Sequence, residues 1–215
     1  MTLPLAQFLT VWVFLGLNIA SPGPNVLNTI ASAMGSGRRA GMGSALAVGF
    51  GVVLWCLGMS LGMAAVFAAV PAAQAVLTLV AVALLFWFAA RYLLSAWAGY
   101  HGWQGVPGGA TGLNFTTAFR RSLLVNVMNP KALTSWLAIL AIFPVASARG
   151  GDIALLCAGS SLVAVGLHTL YALAFSTPAA ARLYLRAGWM LSGFAGLFFA
   201  GFGLRLLAKV VYGEV

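Results

Sequence analysis

The chain has 215 residues, of which 62% are hydrophobic and only 6% charged, with a mean hydropathy of +1.03. A soluble domain carries about a quarter charged residues, so this composition excludes a soluble enzyme or binding domain. The apolar runs are continuous rather than alternating, which excludes a membrane β-barrel. What remains is an all-α integral membrane protein. The net charge of +9, from 11 Lys and Arg against 2 Asp and Glu, does not mark a nucleic-acid partner. The basic residues sit singly or in pairs at the ends of apolar runs, as topogenic charges do.

A membrane-spanning helix needs about 20 apolar residues, and six candidates follow in order. The first runs over about residues 5–34. It contains Ser21-Pro22-Gly23-Pro24-Asn25, a stretch that must break a helix. Neither proline can donate a backbone hydrogen bond, and their rings clash with the carbonyls of Asn18 and Ala20 four residues back. In lipid the freed groups must face protein or a wet cavity.

The second span covers about 43–70, ended by Pro71, and the third about 72–97. Gly58 and Gly62 in span two form a G-x-x-x-G pair that predicts a close helix contact; Gly193, Gly196, Gly201 and Gly203 in span six read the same way. A Gly-rich linker over 98–117 contains His101 and Trp103, expected as an interfacial loop. The fourth span, about 118–146, carries a second break at Asn126-Val127-Met128-Asn129-Pro130-Lys131. The fifth covers about 153–175 and the sixth about 188–211.

The two breaks lie 108 residues apart, about half the chain, and each falls in the first span of a three-span half. Three is odd, so the halves, about 1–97 and 118–215 within one transporter domain, would be inverted across the membrane. Inverted repeats with broken helices near the midplane form transporter sites. Arg38, Arg39, Arg91, Arg120, Arg121, Arg182 and Arg186 fall on one side, which the positive-inside rule makes cytoplasmic. Both termini are then expected on the periplasmic side. No positive n-region precedes the first apolar stretch, so that span is expected to be retained.

These motifs resemble the LysE/RhtB family of bacterial amino-acid exporters. Ser21 to Asn25 is followed by Gly37-Arg38-Arg39-Ala40-Gly41, then Gly51 through Trp55 to Gly62, then Asn126 to Ala132, with weaker similarity through His168, Tyr171 and 193–207. The resemblance implies six membrane helices in the bacterial inner membrane and proton-coupled export of small amino acids or related metabolites. Many members of that family carry Asp just after the glycine matching Gly51. Here the position is Val52, which argues against a cationic substrate.

The expected substrate site is Asn18, Ser21, Pro22, Gly23, Pro24, Asn25, Asn126, Asn129, Pro130 and Lys131. A substrate carboxylate suits the restarting helix ends and Lys131. An ammonium suits the freed carbonyls of Asn18, Ala20 and Asn126, and the amides of Asn25, Asn28 and Asn129 can serve either end. Lys131 is the main ionisable group deep in a span and needs a partner or a role there. His168, with Tyr171 one turn on, is the candidate for proton coupling, since histidine titrates near neutral pH. Arg91 is expected to snorkel, and Asp152 and Glu214 to be solvated at span ends.

The expected partners are the substrate, protons and lipid, with homo-oligomerisation left open; no metal or cofactor is expected. Cys56 and Cys157 read as inert buried thiols. The alternative function is a membrane thiol-disulfide electron carrier that pairs them, and a further alternative is a structural membrane subunit.

Overall fold

Proline stops the first apolar helix where its missing donors require. Helix α1, Leu5–Ala20, ends at Ser21 in extended backbone, and Gly23 is also extended. Pro24 then opens α2, Pro24–Ala69, in the first-turn position where its fixed φ suits a helix and no donor is lost. The computed structural model describes residues 2–70, 73–101 and 110–212.

Gly37 has φ 81° and ψ 176°, outside helical space, so α2 is kinked into two helical pieces, 24–36 and 38–69. Glycine alone takes this backbone without strain. Helix α3 is Ala73–His101. Helices α4, Phe115–Val127, and α5, Pro130–Ile142, meet at the second break and are bent by 58°. Asn114 Oδ1 accepts from Thr117 N at 2.9 Å and caps α4, while Asn129 Oδ1 accepts from Lys131 N at 3.0 Å and caps α5. A short 3-10 turn, Val145–Ser147, precedes α6, Gly150–Ala174, and α7 is Pro178–Val211.

All described secondary structure is helical. By length and composition four helical segments can each cross a membrane, or five if the bent α4–α5 pair is one span; α1 by itself is shorter. Helix α2 packs on α6 and α4, α3 on α7 and α5, and α1 on α6. Phe8, Phe14, Leu85, Trp136, Ile139, Phe143, Leu156 and Phe199 fill the core. Leu94, Leu162, Phe194 and Leu197 lie exposed on outer faces, where a bilayer would cover them. Arg91 lies over the Trp87 ring at 5.2 Å and is exposed, consistent with a snorkelling cation.

Three sequence expectations are corrected here. Gly58 and Gly62 make no close contact: a Cβ on either would meet nothing within 4 Å. They lie on an exposed face of α2, while Gly49, on the packed face, lies so near Val165 and Ser161 of α6 that a Cβ would fall 2.2 Å from the valine. The sixth-span glycines divide, since Gly196 packs tightly on Leu93 and Gly201 meets nothing. Asp152 is not solvated but fully buried. It accepts hydrogen bonds from Thr2 N at 2.8 Å, Leu3 N at 3.3 Å, Arg149 N at 3.0 Å and the Thr2 hydroxyl. Finally, Cys56 and Cys157 are not free thiols but a disulfide joining α2 to α6. Trp103, Pro71 and Glu214 lie outside the described residues.

Candidate functional site

The first break is held together by Lys131 from the second. Its ammonium donates to Asn18 O at 2.7 Å, Ser21 Oγ at 3.1 Å and Ser21 O at 3.4 Å, and lies over the Tyr92 ring at 5.4 Å. Ser21 Oγ is 2.7 Å from both Asn18 O and the Tyr92 hydroxyl. Gly23 leaves room for this arrangement: a Cβ there would stand 3.1 Å from Lys131 Nζ. A lysine from α5 therefore closes the backbone that two prolines opened between α1 and α2.

Each freed carbonyl already has a donor from within the protein. Asn18 O is taken by Lys131 and Ser21. Ala20 O accepts from the Tyr171 hydroxyl at 3.1 Å. Asn126 O accepts from Asn129 N at 3.2 Å and from Trp55 Nε1 at 3.3 Å. Asn28 is also engaged, donating to Ser122 Oγ at 2.6 Å, and Ser122 in turn bonds Ser44 at 2.9 Å. Buried backbone groups need partners, and here side chains separated by up to 151 residues supply them.

Both breaks line one cavity of about 40 Å³. Its wall includes Asn18, Gly23, Pro24, Asn25, Asn126, Asn129, Lys131 and His168, completed by apolar groups such as Val52 and Trp136. A buried water needs roughly 10–15 Å³, so the space has room for a few waters. Ser21 adjoins it through Lys131, Pro22 packs beside Gly188 of α7, and Tyr171 sits behind it on Ala20 O. Pro130 opens α5, but its side chain lies outside the described residues. Among the described residues no carboxylate lines the cavity.

Four side-chain atoms on these lining residues are buried without a hydrogen-bond partner: Asn18 Nδ2, Asn25 Oδ1, Asn126 Oδ1 and His168 Nε2. Burying a polar atom unpaired costs about 1–3 kcal/mol, so this concentration makes the cavity the candidate site. Asn126 Oδ1 lies against Gly51, where a Cβ would fall 2.2 Å from it. His168 is fully buried, with Nδ1 2.8 Å from Thr29 Oγ1. Its ring meets Tyr171 edge-on at 5.8 Å, so the hydrogen-bond partner is Thr29.

A larger cavity, about 590 Å³, opens at the other end of α1 and α5, with Gln7, Thr10, Thr78, Arg205 and Lys209 in its wall. Between the two cavities lie Val11, Phe14, Trp136 and Ile139, all buried.

The model of the family described as LysE type translocator matches residues 17–210. The chain belongs to this family. It is therefore a multi-pass membrane transporter and not an enzyme. The translocator is 27% identical over 210 residues to a threonine efflux protein of Salmonella typhi, covering 94% of this chain and 98% of that one. It is 26% identical over 210 residues to a threonine efflux protein of Escherichia coli (strain K12), with the same coverage. An uncharacterized membrane protein of the same strain, YahN, is 27% identical over 212 residues, covering 96% and 91%. No solved structure matches the chain.

Sequence reasoning about this translocator missed Thr29, Tyr92, Trp55 and Trp136. Thr29 carried a usable signal, since it stands one helical turn after Asn25. The others have none, because ring positions in an apolar helix read as core until the packing is known.

Proposed function

We propose that this translocator exports small neutral amino acids, threonine first among the candidates, across the bacterial inner membrane in exchange for protons. The substrate would sit between the two broken helices. The observation that carries this reading is that both breaks line one small cavity whose wall bears unpaired polar atoms of Asn18, Asn25 and His168 beside the Lys131 cation. A zwitterion needs donors for its carboxylate and acceptors for its ammonium, and the wall offers both. Without a carboxylate in the wall, and with Val52 at the cavity surface, a second positive charge on the substrate has no counter-ion. The threonine efflux relatives point to the same class of solute.

In this reading α1 with 24–36 forms a broken first span and α4 with α5 a broken fourth, giving six spans in two inverted halves. The pairing of the helices supports it: the second span of one half packs on the second of the other (38–69 with α6), and the third on the third (α3 with α7). Arg38 Nε reaches Ser176 Oγ at 3.3 Å, and Ser36 bonds Leu113 N at 2.9 Å, gathering the Arg-flanked loops at one end. Thr2 and Asp152 meet at the other, which favours both termini on the periplasmic side. His168, backed by Tyr171, is the proton-coupling group. Val11, Phe14 and Ile139, buried along α1 and α5 between the residues that line the two cavities, serve as the outer gate.

Cys56 and Cys157 are buried and neither lines the cavity, so their bond fits a staple between α2 and α6 rather than an electron carrier. The test is uptake of labelled threonine into everted vesicles. Accumulation that a protonophore dissipates is expected. Absence of gradient-dependent flux across a broad amino-acid panel would reject the reading.

A further inference from the structure

With the backbone carbonyls of the breaks already taken, we infer that the substrate ammonium is received by two side-chain acceptors, Asn25 Oδ1 and His168 Nε2, with Thr29 as the positioning residue that fixes the histidine tautomer. This rests on the exporter reading above.

One hydroxyl sets the histidine tautomer. Thr29 Oγ1 stands 3.0 Å from Asn25 O and 2.8 Å from His168 Nδ1. A carbonyl can only accept, so Thr29 spends its single proton on Asn25 O. It must then accept from Nδ1–H. In a neutral imidazole that leaves Nε2 as a bare lone pair. Nε2 is buried, unpartnered, and belongs to a residue that lines the cavity.

Asn25 Oδ1 is a second buried acceptor on the same wall without a partner, and Thr29 ties Asn25 and His168 together. The remaining candidates fail. Asn18 O, Ala20 O and Asn126 O are occupied, and Asn126 Oδ1 is pressed against Gly51. The charged and titratable groups around His168 are Lys131 from α5 and Tyr171 from α6. Lys131, as an ammonium, has no acceptor, and its three N–H groups are directed to Asn18 and Ser21. Its charge repels the ammonium end and attracts the carboxylate, which fixes the substrate's polarity in the cavity: carboxylate toward Lys131 and Asn18 Nδ2, ammonium toward Asn25 and His168.

The experiment measures binding to the purified full chain in nanodiscs. Three amino acids are used: L-threonine, L-alanine and L-valine. Each is compared with its 2-hydroxy acid, which exchanges the ammonium for a hydroxyl, and with its amino alcohol, which exchanges the carboxylate. The wild type is expected to bind each bound amino acid at least tenfold tighter than either analogue. In Asn25→Ala and His168→Phe the preference over the hydroxy acid should fall toward one, while the preference over the amino alcohol stays. Thr29→Val should behave likewise, and Thr29→Ser should restore the wild-type ratio. Asn25→Asp, which places a charged acceptor at the same point, should raise the preference over the hydroxy acid about tenfold, a gain that a misfolded variant cannot produce. An unchanged ratio in the Asn25 and His168 variants, or equal collapse of both ratios, overturns the receptor while leaving the exporter intact. If the wild type binds none of the three amino acids, the exporter reading fails and the receptor fails with it.

Discussion

Replacing Lys131 by Met separates what this residue does for the fold from what it does for the site. Without the ammonium, Asn18 O keeps Ser21 Oγ at 2.7 Å, but Ser21 O loses its donor. A stranded buried carbonyl costs about 1–3 kcal/mol, and loss of the contact with the Tyr92 ring adds about 0.5–2 kcal/mol. Against this, a charge within a membrane helix costs about 2.5–3.5 kcal/mol on insertion scales, and methionine removes that cost. The two sides nearly cancel, so the melting temperature of purified Lys131→Met should change little. Transport should not survive. The ammonium's N–H groups are taken, so its charge acts on the carboxylate at a distance: two unit charges about 6 Å apart at an effective dielectric of about 20 attract by about 3 kcal/mol, which at about 1.4 kcal/mol per decade is roughly a 100-fold loss, before any loosening of the break. The assay is threonine uptake into everted vesicles at matched protein levels. Wild-type flux in Lys131→Met would refute both the carboxylate contact and the lysine's part in shaping the break.

Gly51→Ala should cut export tenfold or more, because its Cβ would displace the Asn126 amide, whereas Gly58→Ala and Gly62→Ala should be silent, having nothing within 4 Å; export and melting temperature together read this out. The Cys56→Ser, Cys157→Ser double variant should keep export and lose thermal stability, and loss of export at full folding would revive the redox reading. Asp152→Asn should weaken the hydrogen bonds from Thr2, Leu3 and Arg149, seen as a lower melting temperature in variants that still transport. His168→Gln should leave exchange of labelled for unlabelled threonine measurable while removing the sensitivity of net export to a protonophore.

Both breaks were legible because each proline inside an apolar run has one physical consequence, a carbonyl without its helical donor. The helical, membrane-spanning character was legible because length and hydropathy act locally, though among the described residues only four helices, or five with the bent α4–α5 pair, are long and apolar enough to cross. The turn at Gly37 was hidden, as a glycine between Ser36 and Arg38 does not announce positive φ. What satisfied the carbonyls was also hidden. Tyr171 is 151 residues from Ala20, and Lys131 is 113 from Asn18, and no sequence pattern reports such pairings. Asp152 was misread because its partner is the chain's own start, 150 residues away. Gly58 and Gly62 were misread because spacing gives a helix face but not what lies opposite it.

The central claim is that the cavity between the two breaks is where substrate binds. The most direct measurement uses single cysteines in the Cys56→Ser, Cys157→Ser background. Val52→Cys lies in the cavity wall, and Leu162→Cys lies on an outer face, 71% exposed. Threonine should slow maleimide labelling of Val52→Cys in a saturable way and leave Leu162→Cys unaffected. Equal labelling of Val52→Cys with and without saturating substrate, in protein that still exports it, would place the site elsewhere.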